Sequence, residues 1–160
     1  MILVTLGTQK QHFTRLLDYI ENSNIKDKIV VQAGHTKYNS KKMEIFDFVD
    51  YDEMDKLINE ASIIITHAGT GSVTTPLKKG KIVIACARKK EYKEHVDNHQ
   101  HELLDVFYDE GYILKLTEDN KLDDLIKKCK TFKPKKFVSN TENFIKKLEE
   151  TINDGQNEKS

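Results

Sequence analysis

The chain has 160 residues, and its 26 lysines and arginines balance its 26 aspartates and glutamates. This length suits one domain with a substantial core, and the balanced charge gives no support for general nucleic-acid binding. No signal peptide or apolar run of membrane length is found, and the two cysteines, Cys86 and Cys129, lack metal-ligand spacing. The composition therefore predicts a soluble, cytoplasmic protein.

The N-terminal half alternates between buried strands and amphipathic helices. Apolar β-branched runs predict strands over residues 1–6, 28–32 and 44–49. Apolar residues at helical spacing predict helices over 13–20 and 51–60. Because the first strand starts almost at residue 1, we expect little or nothing to precede the domain. This alternation is typical of an α/β fold with a parallel sheet.

Two loops of this half are candidates for a ligand site. Gly7 and Thr8 follow the first strand, either as a phosphate-type turn or as an ordinary connection between a strand and a helix. His35 lies in the next loop, where it either faces a cleft or is solvated. Asp52 and Glu53 begin the second helix, where acidic side chains favour the helix dipole, so we interpret them as capping residues and not as catalytic ones.

Residues 62–100 organise the rest of the sequence, because they predict a complete βαβ unit. A strand at 63–65 leads into a glycine turn at 67–72, a helix that ends near 79–80 and a strand at 81–85. Gly69 and Gly71 allow close backbone approaches, and the start of the helix attracts an anion such as a diphosphate. The alternative is a tight connection in which Thr70 or Ser72 caps the helix.

A polar turn follows the second strand of this unit. Asp97 and Gln100 have the spacing of a capping box, which would make them structural. Asn98, His99 and Gln100 also crowd hydrogen-bonding side chains near the carboxyl end of a strand, where open α/β sheets bind ligands. A polyhydroxylated ligand needs such a cluster, since hydroxyls both donate and accept hydrogen bonds.

The remaining sequence predicts a helix to about residue 110, a strand at 112–116 and a helix carrying Leu122, Leu125 and Ile126. A C-terminal helix carrying Phe144, Ile145 and Leu148 follows a break at 132–134. No repeat or linker is evident, so we expect one domain over 1–153 and a polar tail over 154–160.

These segments together resemble the sugar-nucleotide-binding half of two-subunit GT-B glycosyltransferases. The resemblance covers roughly residues 1–115. Related families are the small UDP-GlcNAc-binding subunit of the eukaryotic dolichol pathway and, more closely, bacterial capsule and exopolysaccharide transferases that are split into two chains. The segments that carry the resemblance are HAGTGS at 67–72, KKG at 78–80, IVIACAR at 82–88, EYKEHVDNHQ at 91–100, ILVTLGTQ at 2–9 and GYILKL at 111–116.

The resemblance implies one Rossmann-like α/β domain, equivalent to the C-terminal half of a GT-B enzyme of the glycosyltransferase family 28 type. It implies inverting transfer from a UDP-sugar, with no required cofactor or metal. Because a GT-B enzyme has two such domains, it also implies a membrane-anchored partner subunit that binds a lipid-linked saccharide acceptor and recruits this chain to the inner face of the membrane.

The family also implies roles for individual residues. The backbone of Phe48 and Val49 would lie near uracil, and the glycine loop would hold the phosphates. His99 and Gln100 would grip sugar hydroxyls, and Arg88 would contact the sugar or acceptor, or the carboxylate of a uronic acid. No catalytic residue is assigned. The implied donor-binding residues are Gly7, Thr8, Phe48, Val49, His67, Ala68, Gly69, Thr70, Gly71, Ser72, Arg88, Glu94, Asp97, Asn98, His99 and Gln100.

One position departs from the family pattern. Many relatives carry an acidic residue on the helix after the glycine loop, where it binds the ribose hydroxyls. Thr75, followed by Pro76, stands at the matching position here. The sequence therefore predicts that ribose is bound more weakly, or by another residue.

Four other hypotheses compete with this one. His95, His99 and His101 have residue types that bind metals, but they need not share one helical face. A nucleophilic enzyme would need a nucleophile elbow, and a dinucleotide-binding oxidoreductase would need a glycine fingerprint in the first turn. The fourth hypothesis is a non-catalytic partner that stabilises a transferase, which would need neither the glycine loop nor the polar turn.

Overall fold

The computed structural model describes residues 1–138 together with 143, 146, 147 and 150. The predicted helix residues Phe144, Ile145 and Leu148 lie outside the described residues, as do the tail at 154–160 and the domain boundary at 153.

The described residues form a six-stranded sheet in the order β3-β2-β1-β4-β5-β6. All neighbouring strands are parallel, which confirms the predicted α/β class. The strands are β1 Ile2–Thr5, β2 Ile29–Gln32, β3 Met43–Phe46, β4 Ile63–His67, β5 Ile82–Cys86 and β6 Leu114–Lys115. The helices are α1 Thr14–Glu21, α2 Tyr51–Glu60, α3 Thr70–Lys78, α4 His99–Asp109 and α5 Leu122–Lys128, with a 3-10 turn at Lys90–Tyr92.

The central strands are apolar throughout because helices cover both faces of the sheet. Successive side chains alternate between two separate cores. Val4 and Ile65 join the core beneath α1 and α5, whereas Leu3 and Ile64 join the core beneath α2, α3 and α4. The short β-branched runs in the sequence therefore become strands that are buried on both faces.

The strand order reverses between β1 and β4, the two strands at the centre of the sheet. Thr5 and Thr66, near the carboxyl ends of these strands, are paired in register, and their hydroxyls form a hydrogen bond of 2.7 Å. Every strand of this parallel sheet has its carboxyl end at the same edge. A crevice at such a reversal is the general ligand-binding position of open α/β sheets.

β1, β2, β3 and β6 are shorter than predicted, and the structure shows the reason for β3 and β6. β3 ends at Phe46, and the backbone N–H groups of Ala33 and Gly34 bond the carbonyls of Phe46 and Asp47 as the chain leaves the sheet. This exit releases residues 48–49 to the carboxyl edge. β6 begins at Leu114 because the N–H of Tyr112 closes the end of α4 by bonding the Phe107 carbonyl.

Candidate functional site

A cavity of about 320 Å³ lies at the carboxyl edge of the sheet, between α2 and α3. Its floor includes Thr5 at the end of β1 and Ile64 of β4, so it sits where the strand order reverses. The cavity is lined by six of the predicted donor-binding residues: Gly7, Thr8, Phe48, Val49, Gly71 and Ser72.

The first turn of α3 forms one wall of this cavity. Its N-cap is Gly69, where the sequence allowed Thr70 or Ser72, and no side chain caps the helix. A Cβ added to Gly71 would meet nothing within 4 Å. The wall is therefore open to a ligand at the positive end of the helix dipole, an arrangement that suits an anion.

The side chain of His67 is the reason that positions 7 and 69 need glycine. Its imidazole is 5 % exposed and fills the space between Gly7 and Gly69. A Cβ on Gly7, which has a φ of +79°, would lie 2.5 Å from Nε2 of His67, and a Cβ on Gly69 would lie 2.6 Å from Cε1. Nδ1 of His67 is 2.9 Å from Nε2 of Gln100, and Nε2 is 2.9 Å from Oγ of Ser72. The loops after β1 and β4 thus close around one buried histidine.

Burial, with a smaller contribution from the positive charge of Arg88, lowers the pKa of His67 to about 3. Because the unfolded chain binds a proton near the ordinary histidine pKa and the folded chain does not, stability should fall as the pH falls from about 6.5 toward 3. Between pH 7 and pH 5 this one group should remove about 2 kcal/mol from the free energy of unfolding.

Urea unfolding at the two pH values checks this expectation. The His67→Gln variant should lose that part of the pH dependence, with His12→Gln, at an exposed position, as the control. An equal pH dependence in wild type and His67→Gln would contradict the buried, neutral imidazole.

The structure places Gln100 inside the loop network and not at an open surface. Its side chain is 2 % exposed, and Oε1 accepts hydrogen bonds from the backbone N–H groups of Ala68, at 3.2 Å, and Arg88, at 3.1 Å. The capping-box alternative is wrong, because α4 begins at His99 with Asn98 as N-cap. Asp97 Oδ1 instead accepts from the His99 N–H at 2.8 Å.

Arg88 also differs from its predicted role. Its side chain is 1 % exposed, and the guanidinium donates to the backbone carbonyls of Leu6, Gln11 and Glu94 at 2.6, 2.7 and 2.9 Å. The guanidinium lies over the ring of Phe13, 5.0 Å from its centroid. Burial lowers the pKa of Arg88 to about 10. Arg88 therefore ties the loops after β1 and β5 together and presents no open face to a sugar, an acceptor or a uronic-acid carboxylate.

Glu94 is held in the same way. It is 3 % exposed, its carboxylate accepts from Nε and Nη2 of Arg15 at 3.1 and 2.9 Å, and it also accepts from the Lys89 N–H at 3.1 Å. Such a two-point pair with an arginine fixes geometry as well as charge. Glu94 therefore secures the loop after β5 against α1.

The other residues of the polar turn lie outside the cavity wall. Asn98 is exposed, and its Oδ1 accepts from the Lys90 N–H at 3.0 Å. His99 is buried, with 7 % exposure. Within the described part of the chain, no group of three or more histidine, cysteine or acidic side chains is arranged to hold a metal ion, and no helix is long and apolar enough to cross a membrane.

Gln32 and Tyr51 also line the cavity, although neither was among the predicted donor-binding residues. Gln32 ends β2, and its amide accepts from the Gly7 N–H at 3.2 Å and donates to the carbonyls of Gly7 and Asp47 at 3.1 and 3.2 Å. A glutamine that ends a buried apolar run was the available signal. Phe48 meets the ring of His35 edge-on, with 5.3 Å between centroids, and exposed Tyr51 lies beside the cavity.

An open parallel sheet with a helix N-terminus at its central crevice defines the class of α/β domains that bind ligands at the carboxyl edge. Residues 1–154 match the glycosyltransferase family 28 C-terminal domain. The chain belongs to this family, as the sequence resemblance predicted.

Curated relatives give a finer comparison. The chain is 33 % identical over 115 residues to the UDP-N-acetylglucosamine transferase subunit ALG13 of Saccharomyces cerevisiae, covering 69 % of this chain and 54 % of that protein. It is 29 % identical over 103 residues to the subunit of the same name from Debaryomyces hansenii, covering 64 % of this chain and 46 % of that protein. The chain thus spans about half the length of the curated relatives it matches.

Solved structures show the same fold. An NMR solution structure of ALG13 superposes with a TM-score of 0.58 at 20 % identity, covering 86 % of this chain and 89 % of that one. The crystal structure of the glycosyltransferase SnogD from Streptomyces nogalater superposes with a TM-score of 0.51 at 16 % identity, covering 72 % of this chain and 30 % of that one. The predicted equivalence to one half of a GT-B enzyme is confirmed at the level of the fold.

Proposed function

We propose that this chain is the donor-binding subunit of a glycosyltransferase that uses a UDP-sugar. The observation that carries the proposal is the cavity at the reversal of the sheet, with the uncapped N-terminus of α3 as one wall. The curated relatives are named as UDP-N-acetylglucosamine transferase subunits, so UDP-N-acetylglucosamine is the first donor to test.

The cavity offers two different surfaces to the two parts of a nucleotide. Residues 48–49 and Tyr51 form an apolar side that suits a flat base, and the backbone N–H groups of the first α3 turn suit a diphosphate. During transfer the leaving UDP gains negative charge, which the helix N-terminus and the Ser72 hydroxyl would stabilise. This electrostatic account of an inverting transfer needs no metal ion.

The acceptor site belongs, in this proposal, to a membrane-anchored partner subunit. The chain provides one Rossmann-like domain, and the carboxyl edge of its sheet would face the partner across a cleft. The partner would bind the lipid-linked acceptor, recruit this chain to the membrane and contribute to activating the acceptor hydroxyl. The fungal relatives lend no support to the capsule and exopolysaccharide setting that the sequence resemblance implied.

Calorimetric titration of the isolated chain tests the donor site. We expect binding of UDP and of UDP-N-acetylglucosamine, with ADP clearly weaker because the backbone groups of residues 48–49 would hydrogen-bond the edge of uracil. UDP-glucose and UDP-glucuronic acid identify the sugar preference. If none of these ligands binds at millimolar concentration, either to the isolated chain or to a complex with its partner, the donor-site proposal is wrong. The alternative, a non-catalytic stabilising partner, would then hold.

Thr75 allows a gain-of-function test. The structure places Thr75 in the cavity wall beside the first turn of α3, so the Thr75→Glu variant would supply the carboxylate that many relatives use for ribose. We expect severalfold tighter UDP binding, because a charged acceptor strengthens hydrogen bonds from hydroxyls. The gain should vanish with 2′,3′-dideoxy-UDP. A gain that persists with the dideoxy ligand would exclude ribose as the contact.

A further inference from the structure

The orientation of the Gln100 amide follows from its surroundings. Its Oε1 lies within hydrogen-bond distance of two backbone donors, the N–H groups of Ala68 and Arg88. Only the oxygen of an amide can accept both, so the NH₂ group must occupy the other end. That end faces Nδ1 of His67 at 2.9 Å.

The tautomer of His67 follows in turn. Because Gln100 presents a donor, Nδ1 of His67 must be the accepting nitrogen, and the proton of the neutral ring lies on Nε2. Nε2 is 2.9 Å from Oγ of Ser72, so His67 donates to that hydroxyl. An imidazolium would direct a second proton at the Gln100 NH₂, and the burial of the ring opposes that charge as well.

Ser72 is the last member of this chain of hydrogen bonds. Its oxygen already accepts from His67, and its single proton remains for another acceptor. Ser72 lines the cavity in the first turn of α3. A group in the cavity that accepts the Ser72 proton would therefore lie at the positive end of the helix dipole. Aligned hydrogen bonds polarise one another, which strengthens the last donor.

We infer that Gln100 acts through His67 to fix the Ser72 hydroxyl as a hydrogen-bond donor to the phosphates of the bound nucleotide. This inference rests on the proposed function. It makes Gln100 a positioning residue, whereas the family resemblance implied a direct contact with sugar hydroxyls. The two backbone N–H groups that orient the Gln100 amide, those of Ala68 and Arg88, lie just past the carboxyl ends of β4 and β5. The direction of the Ser72 donor is therefore set at the carboxyl edge of the sheet.

The first test needs no ligand. Nitrogen-15 NMR of the wild-type imidazole should show a protonated Nε2 and an unprotonated Nδ1 for His67, unchanged between pH 5 and pH 8. A protonated Nδ1 or a charged ring would overturn the inference. This result is independent of nucleotide binding, so it separates failure of the hydrogen-bond chain from failure of the proposed donor site.

The second test uses the Gln100→Leu variant, with Glu102→Gln on the exposed face of the same helix as the control. Without Gln100 the Ser72 hydroxyl is no longer fixed as a donor to the phosphates. The affinities for UDP and for UDP-N-acetylglucosamine should therefore fall by the same factor, about tenfold, since a hydrogen bond to a charged group is lost. A loss confined to the UDP-sugar would show a direct sugar contact and overturn the inference.

A double-mutant cycle completes the design. Ser72→Ala should weaken UDP binding by about tenfold in the wild-type background and by much less in the Gln100→Leu background, because both substitutions remove the same donor. Equal effects in the two backgrounds would contradict the coupling. If Gln100→Leu does not fold, the tautomer of the wild type and the effect of Ser72→Ala still decide the question.

Discussion

Replacing Arg88 with methionine should lower the free energy of unfolding by about 3–5 kcal/mol, as expected when a buried charged group with several hydrogen bonds is removed. The substitution leaves the carbonyls of Leu6, Gln11 and Glu94 without their donors. It also removes the cation above the Phe13 ring. Urea unfolding of the purified variant measures the loss directly.

The stability of Arg88→Met distinguishes the loop-tying role of Arg88 from the contact with the sugar or acceptor that the resemblance implied. A substitution of exposed Lys10 by methionine, in the loop after β1, serves as the control and should change stability by less than about 0.5 kcal/mol. If Arg88→Met instead keeps its stability and loses discrimination between UDP-glucuronic acid and neutral donors, Arg88 faces the ligand and the loop-tying role is wrong.

Replacing Gly71 with valine should weaken UDP binding by tenfold or more without destabilising the fold. A Cβ added at this position meets nothing within 4 Å, so the valine side chain would project into the space that we assign to the ligand. Glycine is a poor helix residue, and Gly71→Ala in the first turn of α3 should raise the free energy of unfolding by up to about 1 kcal/mol. Stability and binding are therefore expected to change in opposite directions.

Gly69 provides the matched comparison two residues away. A Cβ there would lie 2.6 Å from His67, so Gly69→Ala should destabilise the protein by displacing the imidazole. Calorimetry and urea unfolding of Gly71→Val, Gly71→Ala and Gly69→Ala distinguish the ligand-facing role of Gly71 from the packing role of Gly69. If Gly71→Val binds UDP as the wild type does, the cavity beside α3 is not the phosphate site.

The sequence predicted the fold well because the relevant signals are local. Apolar β-branched runs such as Ile63–Ile65 specify strands that are buried on both faces, and α2 has the predicted bounds of 51–60. The glycine turn predicted at 67–72 overlaps α3, which begins at Thr70, so Gly71 and Ser72 lie in the first turn of the helix. Strand ends were less accurate, because β3 stops where Phe46 and Asp47 turn to bond the loop after β2.

The roles of polar residues after β5 could not be read in the same way. Spacing shows that Arg88, Glu94 and Gln100 lie near the carboxyl edge, but it does not show whether their side chains turn inward. Arg88 turns toward the carbonyls of Leu6 and Gln11, 82 and 77 positions away, and Gln100 toward His67, 33 positions away. Such pairings depend on tertiary packing, as do the hydrogen bonds of Gln32 to Gly7 and Asp47.

The most direct test of the donor site is the crystal structure of this chain with UDP. We expect the diphosphate within hydrogen-bond distance of the backbone N–H groups of Gly71 and Ser72 and of the Ser72 hydroxyl, with the base against residues 48–49. The Gln100 side chain should remain on His67. A diphosphate bound elsewhere, with the cavity between α2 and α3 empty, would contradict the assignment of this cavity as the donor site.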